Sequence, residues 1–320
     1  MPAPLETGRL IPGPTQDPRL SGAAVEVIDS LTSTNDELVR RLAEGPEGAP
    51  GHLHALLTEH QTAGRGRRDR TWTTPRGSSA IVSFAVLPAR EDAARPTLPP
   101  ESLHWLTLLL ALAVRGAIRE QTGLPAELKW PNDLLVGGRK IAGILARAAH
   151  DAAGRLGVVV GVGVNTGLRP EDLPSEAATS LLIEAGGEVD RTELLIGVIE
   201  RFRRLVADFE AAGGSVLTAT PGAPALLETV RGALDTLGRR VRVQRSEGQP
   251  DLIGLAQDVD ADGALVVRAD DGELVAVSVG DVVHLRPESG TWGPGAGAEG
   301  PTAPDAASPA PRAETEGGRP

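Results

Sequence analysis

The sequence predicts an α+β protein of more than one domain, on three observations. Over residues 23–212, short apolar strand patterns alternate with longer helical ones. Near residues 213–224 the composition shifts to glycine, threonine and proline, as at a domain boundary. Beyond it, four short strand patterns, the last three separated by Asp-Gly turns, describe a small antiparallel barrel of about 60 residues ending at Arg286.

At 320 residues and 40% hydrophobic content the chain can bury a large core. A net charge of −11 argues against a protein whose main task is gripping nucleic acid, because phosphate contacts need a basic surface. With no cysteine there is no disulfide framework, thiolate metal site or thiol nucleophile. The first ten residues lack the apolar core of a secretory signal, and no window reaches the roughly eighteen uninterrupted apolar residues of a membrane span. The nearest, residues 103–114, carries His104 and is stopped by Arg115, so it reads as a buried helix of a cytoplasmic protein.

Residues 1–21 are rich in proline and polar groups and are expected to be a disordered leader. Residues 23–28 alternate as a strand. Thr34 with Glu37 three residues on makes a capping-box pattern, which predicts a helix over 35–43. Ser33-Thr34-Asn35 is then either a simple cap or a cap that also hydrogen-bonds a ligand. Residues 53–58 form a strand leading through Gln61 to Gly64-Arg65-Gly66-Arg67-Arg68-Asp69-Arg70-Thr71-Trp72. Its arginines repel one another, so this loop is expected to be mobile when empty and to order around an anion. It is not a dinucleotide loop: Asp69 takes the last glycine position, and Trp72-Thr73-Thr74-Pro75 cannot begin the required helix.

Residues 79–87 form a strand, 91–100 a proline-studded loop, and 103–120 a long apolar helix ended by Gly123 and Pro125. Residues 127–130 form a short strand closed by Pro131, which has no N–H for the ladder. Asn132-Asp133 is a turn, 134–136 a second strand, and Gly137-Gly138 a two-residue hairpin before a third strand from Arg139. This region holds both lysines of the chain, Lys129 and Lys140; the other 30 of its 32 basic residues are arginine. Lysine is a mobile point charge that can follow a moving phosphate or carboxylate, where arginine is a rigid fork. Lys129 is therefore the candidate to meet an anion that moves during a reaction, the alternative being a surface hairpin with two solvated lysines.

Residues 141–149 and 156–164 pair about Asp151-Ala152-Ala153-Gly154 and deliver Gly161-Val162-Gly163-Val164-Asn165, a strand whose glycines let a ligand lie against it. Helices follow near 177–184 and over 191–212, the second with arginines on its outer face. Strands over 240–244, 252–258, 264–268 and 274–278 make the barrel, and 288–320 is expected to be a disordered tail. No Gly-x-x-x-x-Gly-Lys, Gly-x-Ser-x-Gly or His-Glu-x-x-His motif occurs, so P-loop, esterase and zinc-protease chemistry lack their groups. What the parts share is anion handling.

In order, Ser33-Thr34-Asn35, residues 61–68, Lys129-Trp130-Pro131-Asn132-Asp133, residues 138–145 and residues 161–165 resemble the motifs of the biotin protein ligases. The resemblance covers residues 25–286. It implies a central mixed sheet flanked by helices, of the class II synthetase-like fold of biotin and lipoate ligases. That catalytic biotin- and ATP-binding domain would span 22–225, with an SH3-like β-barrel over 226–287. It implies an ATP-dependent, AMP-forming ligase: biotin's carboxylate attacks the α-phosphorus of ATP, giving biotinyl-5'-AMP and pyrophosphate. A specific lysine on the biotin carboxyl carrier domain of an acyl-CoA carboxylase then attacks the adenylate.

By the same resemblance, Ser33, Thr34, Asn35, Gln61, Gly64, Arg65, Gly66, Arg67, Lys129 and Gly143 would surround biotin. Arg65, Arg67, Arg68, Trp72, Lys129, Trp130, Asn132, Lys140 and Asn165 would meet ATP and the adenylate. Lys129 and Arg65 would be catalytic, and Trp130 an adenine or pocket wall, or else core packing. Magnesium would be carried mainly by the triphosphate, with no metal site of the protein's own. A cytoplasmic monomer or weak homodimer that binds neither nucleic acid nor membrane is expected. Asp69 stands where the family usually has glycine, which is expected to weaken retention of the adenylate; Asp36 stands where it often has glutamine, which leaves helix capping intact. The bifunctional members carry an amino-terminal DNA-binding domain that residues 1–21 cannot form, so no operator binding is expected. The rival readings are a lipoate or octanoyl ligase or transferase of the same fold, and a biotin sensor without catalysis, against which Lys129 and Arg65 count.

Overall fold

The computed structural model describes residues 2–45, 47–68, 70–87, 97–219, 224–245, 250–278 and 280–284. Among these residues the chain runs α1 (Thr7–Leu10), β1 (Val25–Leu31), α2 (Thr34–Glu44), β2 (His54–Gln61), β3 (Gly64–Arg65), β4 (Thr71–Trp72), β5 (Ser79–Val86), α3 (Leu106–Thr122), β6 (Glu127–Lys129) and β7 (Asp133–Val136). It continues with β8 (Arg139–His150), β9 (Leu156–Asn165), α4 (Leu181–Ala185), α5 (Arg191–Ala211), α6 (Leu226–Arg231), β10 (Arg240–Gln244), β11 (Leu252–Val259), β12 (Leu265–Ala269), β13 (Leu274–Val277) and β14 (Asp281–His284).

Seven strands make one mixed sheet in the order β1-β2-β5-β9-β8-β7-β6. The β1–β2 pair is parallel and the rest antiparallel. Strand β5 is buried at every position because helices cover both faces of the sheet. On one face α3 and α5 pack together, with Phe84 of β5 against Phe202 of α5 at 4.6 Å between ring centroids. On the other face α2 lays Leu38 and Leu42 on Leu56 and Val159. The stretch Pro100–Thr122 is long and apolar enough to cross a membrane, but 72% of its apolar window is buried inside the fold. It is the core helix the sequence predicts. The Gly137-Gly138 hairpin also forms as expected, both glycines taking the positive φ (57° and 77°) of a tight two-residue turn.

Several expectations need correction. Residues 2–21 are packed on the sheet domain: Leu5, Leu10 and Leu20 are buried, and Leu5 N–H donates to Glu59 Oε1 at 2.5 Å. Three well-spaced leucines among the prolines supply the apolar area that composition alone concealed. Helix α2 is capped by Ser33, whose Oγ accepts from Asp36 N–H at 3.3 Å, because the Thr34 hydroxyl is taken by Gln61 and Ser83. The helix near 177–184 is only the turn α4. Arg191, the first residue of α5, points inward: it is 6% exposed and pairs with Glu59 at 2.8 Å.

The carboxy-terminal sheet has the order β13-β12-β11-β10-β14, all antiparallel. It has a fifth strand, β14, beyond the four the sequence predicts, and among the described residues its edges β13 and β14 do not pair, so the barrel is not closed there. It is joined to the first sheet through two indoles, Trp105 Nε1–H to Ala261 O (3.1 Å) and Trp130 Nε1–H to Gly263 O (3.0 Å). The expected tail, 288–320, lies outside the described residues.

Candidate functional site

A cavity of about 500 Å³ opens where α2, the β3–β4 pair, the ends of β6 to β9 and the edge of the second sheet meet. It brings together the predicted site residues except Gly64 and Arg68. One wall is a closed polar network at the start of α2. Gln61 Oε1 accepts from Thr34 N–H (2.8 Å) and from the Thr34 hydroxyl (3.1 Å). The Ser83 and Thr34 hydroxyls lie 2.7 Å apart, Ser83 donates to Asn35 Oδ1 at 2.6 Å, and Asn35 Nδ2–H donates to Leu145 O at 2.9 Å. Ser33, Thr34, Asn35, Gln61 and Ser83 are all buried. Such a set holds its donors and acceptors at fixed positions before a ligand arrives.

The floor is formed by glycines of β8 and β9. Gly143 and Gly163 are register partners, and the Trp72 indole lies over both. A Cβ on Gly163 would sit 2.6 Å from Trp72 Nε1, and one on Gly161 would sit 2.3 Å from Asn35 Oδ1 and 2.4 Å from Ser83 Oγ. The bare strand was expected to receive a ligand directly. Instead its glycines receive the chain's own Trp72, Asn35 and Ser83, which then face the cavity. Gly64 likewise serves packing: a Cβ there would lie 2.4 Å from Trp72 O. The buried Trp72 Nε1 and Asn165 Oδ1 have no hydrogen-bond partner among the described residues, while Asn165 Nδ2–H is held by Thr179 O at 3.0 Å.

Lys129, half-buried at the end of β6, lines the cavity. It is the register partner of Asp133, and the Asp133 carboxylate pairs with Lys140 Nζ at 2.6 Å. Asp133 thus stands opposite Lys129 in the ladder and holds Lys140, whose Nζ lies 5.8 Å from the Trp72 ring centre. Asn132 ties the turn to β8, donating to Ile144 O at 2.7 Å. Trp130 is 3% exposed and forms cavity wall and core at once.

The arginine loop, expected to be mobile, is closed into the β3–β4 pair, and its charges have partners. Arg67 donates to Asn132 Oδ1 (3.2 Å) and Gly280 O (3.3 Å), and Arg68 to Gln244 O (3.2 Å). Arg65 pairs with Asp36 at 3.3 Å, and Arg147 pairs with the same carboxylate. Asp69 lies outside the described residues, as does any effect of its carboxylate. Arg68 sits in an adjoining hollow lined by Asp36, Arg65, Gly66, Arg67, Leu145 and Arg147. Ser83 of the cavity and Arg147 of the hollow were missed by sequence reasoning, because each is recruited from a strand face with no motif of its own, and Asp36 was read only for helix capping.

Beside Lys129 lies a titratable cluster from the second sheet. Burial and the Lys129 ammonium push the His284 imidazole down to about 4, against a smaller upward pull from Asp235. Partial loss of water, then the Asp235 charge, raises Glu127.

Comparison with known proteins now bears on this geometry. Residues 27–165 match the model of the Biotin/lipoate A/B protein ligase family, and residues 236–285 match the Biotin protein ligase C terminal domain. The chain is 37% identical over 265 residues to the biotin--[acetyl-CoA-carboxylase] ligase of Mycobacterium tuberculosis, covering 82% of this chain and 89% of that one. It is 30% identical over 250 residues to the bifunctional ligase/repressor BirA of Bacillus subtilis, covering 77% and 69%. Its fold is similar to that of the Aquifex aeolicus biotin protein ligase in complex with biotin and ATP, with a TM-score of 0.63 at 24% identity over 82% of this chain and 99% of that one.

Proposed function

The chain belongs to the biotin protein ligase family, and from that premise we infer that its cavity joins biotin to ATP and passes the biotinyl group to a carrier lysine. It is an ATP-dependent biotin protein ligase. The observation that carries the assignment of roles is that Lys129 lines the same cavity as the buried Thr34–Gln61–Ser83–Asn35 network and the arginine pair β3–β4.

The network offers its hydroxyls and the side-chain amides of Asn35 and Gln61 to a ureido ring, whose N–H and C=O need fixed partners. Biotin's carboxylate then points toward Lys129, where it meets the α-phosphate of ATP. Two anions must approach, and negative charge builds on the phosphoryl oxygens as the carboxylate oxygen bonds to phosphorus and pyrophosphate leaves. A preorganised ammonium lowers that barrier. Arg65 and Arg67 are within reach of the departing phosphates, and Trp72 and Asn165 offer a flat face and an open acceptor for the base. Among the described residues no three acidic or histidine side chains converge to hold a metal; the divalent ion enters with the triphosphate, as substrate.

In the second half-reaction the amine of a carrier lysine attacks the acyl carbon of the adenylate, and AMP leaves. The carrier is the biotin carboxyl carrier domain of an acyl-CoA carboxylase, acting in the cytoplasm. The test is biotin-dependent exchange of labelled pyrophosphate into ATP. The unmodified chain should exchange with biotin and not with lipoate, and Lys129→Ala should lose about 10²-fold or more. Exchange that survives the substitution would remove Lys129 from the chemistry; exchange with lipoate in place of biotin would move the substrate.

A further inference from the structure

The segment that enters the second sheet carries a hydrogen-bonded set for which the ligase chemistry has no role. Residues 233–236 run parallel beside β6: Leu128 N–H donates to Ala233 O at 2.9 Å, and Asp235 N–H to Leu128 O at 2.8 Å. The next contact falls on the peptide that joins Lys129 to Trp130, whose N–H donates to Thr236 Oγ1 at 2.9 Å. Thr236 is wholly buried, so its own hydroxyl hydrogen needs an acceptor. His284 Nε2 lies 3.2 Å away and meets that need. That leaves the imidazole hydrogen on Nδ1, which faces the Asp235 carboxylate at 3.6 Å, an electrostatic contact longer than a hydrogen bond. Arg239 pairs with the other oxygen of Asp235.

We propose that Asp235, His284 and Thr236 form one positioning unit for Lys129, a carboxylate–imidazole–hydroxyl chain whose last group holds the peptide N–H that follows the lysine. The proposal rests on the ligase reading of Lys129. The order of groups is that of a hydrolase triad, yet this hydroxyl cannot act as a nucleophile, since it is buried and already accepts one hydrogen bond and donates another. Its work is geometric. Strand β6 has only three residues and Lys129 is the last, so its ladder alone fixes the lysine poorly. The second sheet supplies what the first lacks, and a shift of one ångström at the lysine would separate it from the developing charge.

The charges that face His284 are Lys129 on β6 and Asp235 and Arg239 ahead of β10, with the Glu127 carboxyl of β6 beside Asp235. A protonated imidazole would turn Nε2 from acceptor to donor, force the Thr236 hydroxyl to rotate, and place a second cation beside the lysine. The unit therefore works with His284 neutral.

The experiment measures pyrophosphate exchange and, separately, the histidine tautomer by ¹⁵N NMR on the full chain. Thr236→Val keeps the shape and removes the hydroxyl. It should lower kcat about tenfold with the KM for biotin within about twofold, and Thr236→Ser should restore kcat. The His284 signal, identified by its loss in His284→Gln, should show the neutral Nδ1–H form at pH 7 and remain neutral at pH 5, and Thr236→Val should disturb it. Equal kcat in Thr236→Val and the unmodified chain, or an Nε2–H or charged His284 at pH 7, would overturn the unit while leaving the ligase reading in place. Absence of exchange in the unmodified chain would bring down both.

Discussion

Residue by residue, the cavity depends on atoms that are missing. Gly163 has no side chain, and the Trp72 indole occupies the space, with Nε1 2.6 Å from where a Cβ would be. Neighbouring backbone hydrogen bonds fix the strand, so a methyl group there must displace the indole. Trp72 is assigned here to the nucleotide, which makes the expected result specific. Gly163→Ala should raise the KM for ATP about tenfold and leave the KM for biotin near its original value. In a double-mutant cycle, adding Gly163→Ala to Trp72→Leu should cost little further, because the clash is already gone. Fully additive effects would mean that the two residues act independently.

At the scale of elements, the β3–β4 pair is the part that most departs from the sequence reading, and Asp36 explains why. A loop with arginines at 65, 67 and 68 looks self-repelling until Asp36, in the first turn of α2, and the carbonyls of Gln244 and Gly280 are brought to it. Those partners lie 29 residues before the loop and 176 and 213 after it, distances no local pattern spans. Asp36 also holds Arg147. Its carboxylate both draws Arg65 toward α2 and opposes an arriving phosphate, and the two effects have the same sign. Asp36→Asn should therefore lower the KM for ATP about threefold, the gain shrinking as salt rises, because these side chains are solvent-accessible. An unchanged KM at low salt would show that the pair does not restrain the loop. What was legible follows from local chemistry: Gly137-Gly138 as a hairpin, Pro131 as a strand end and Gly123 as a helix stop. What was not legible follows from tertiary recruitment. Ser83 is one of eight buried positions in β5 and became a cavity residue only because β9 presents Gly161 opposite it. Ser33 became the helix cap because Gln61 took Thr34.

For the whole molecule, one buried charge pair joins the amino-terminal residues, α5 and the sheet, beside the surface pairs of Arg9 and Arg19 with Glu193. Arg191 and Glu59 are 6% and 10% exposed at the side chain and 2.8 Å apart. Further donors and acceptors are used as well: Arg191 Nη2–H also donates to Ala3 O at 2.5 Å, Arg191 Nη1–H to Ser79 O at 3.3 Å, and Glu59 Oε1 accepts from Leu5 N–H. A pair desolvated this far gains little over apolar residues of the same shape, but removing one partner strands the other charge. Arg191→Ala should cost about 3–5 kcal/mol and release residues 2–21 from the sheet at the same time. At about 2 °C or more per kcal/mol for a chain of this size, the melting midpoint should fall by about 6 °C or more. Limited proteolysis should then cut within the first 21 residues, where the intact chain resists. Replacing both partners, Glu59→Gln with Arg191→Met, should recover most of the loss, because no charge is then left buried. An Arg191→Ala chain that melts within 2 °C of the original would show that the buried leucines and the pairs of Arg9 and Arg19 with Glu193 hold the segment without it, the buried ion pair contributing nothing to stability.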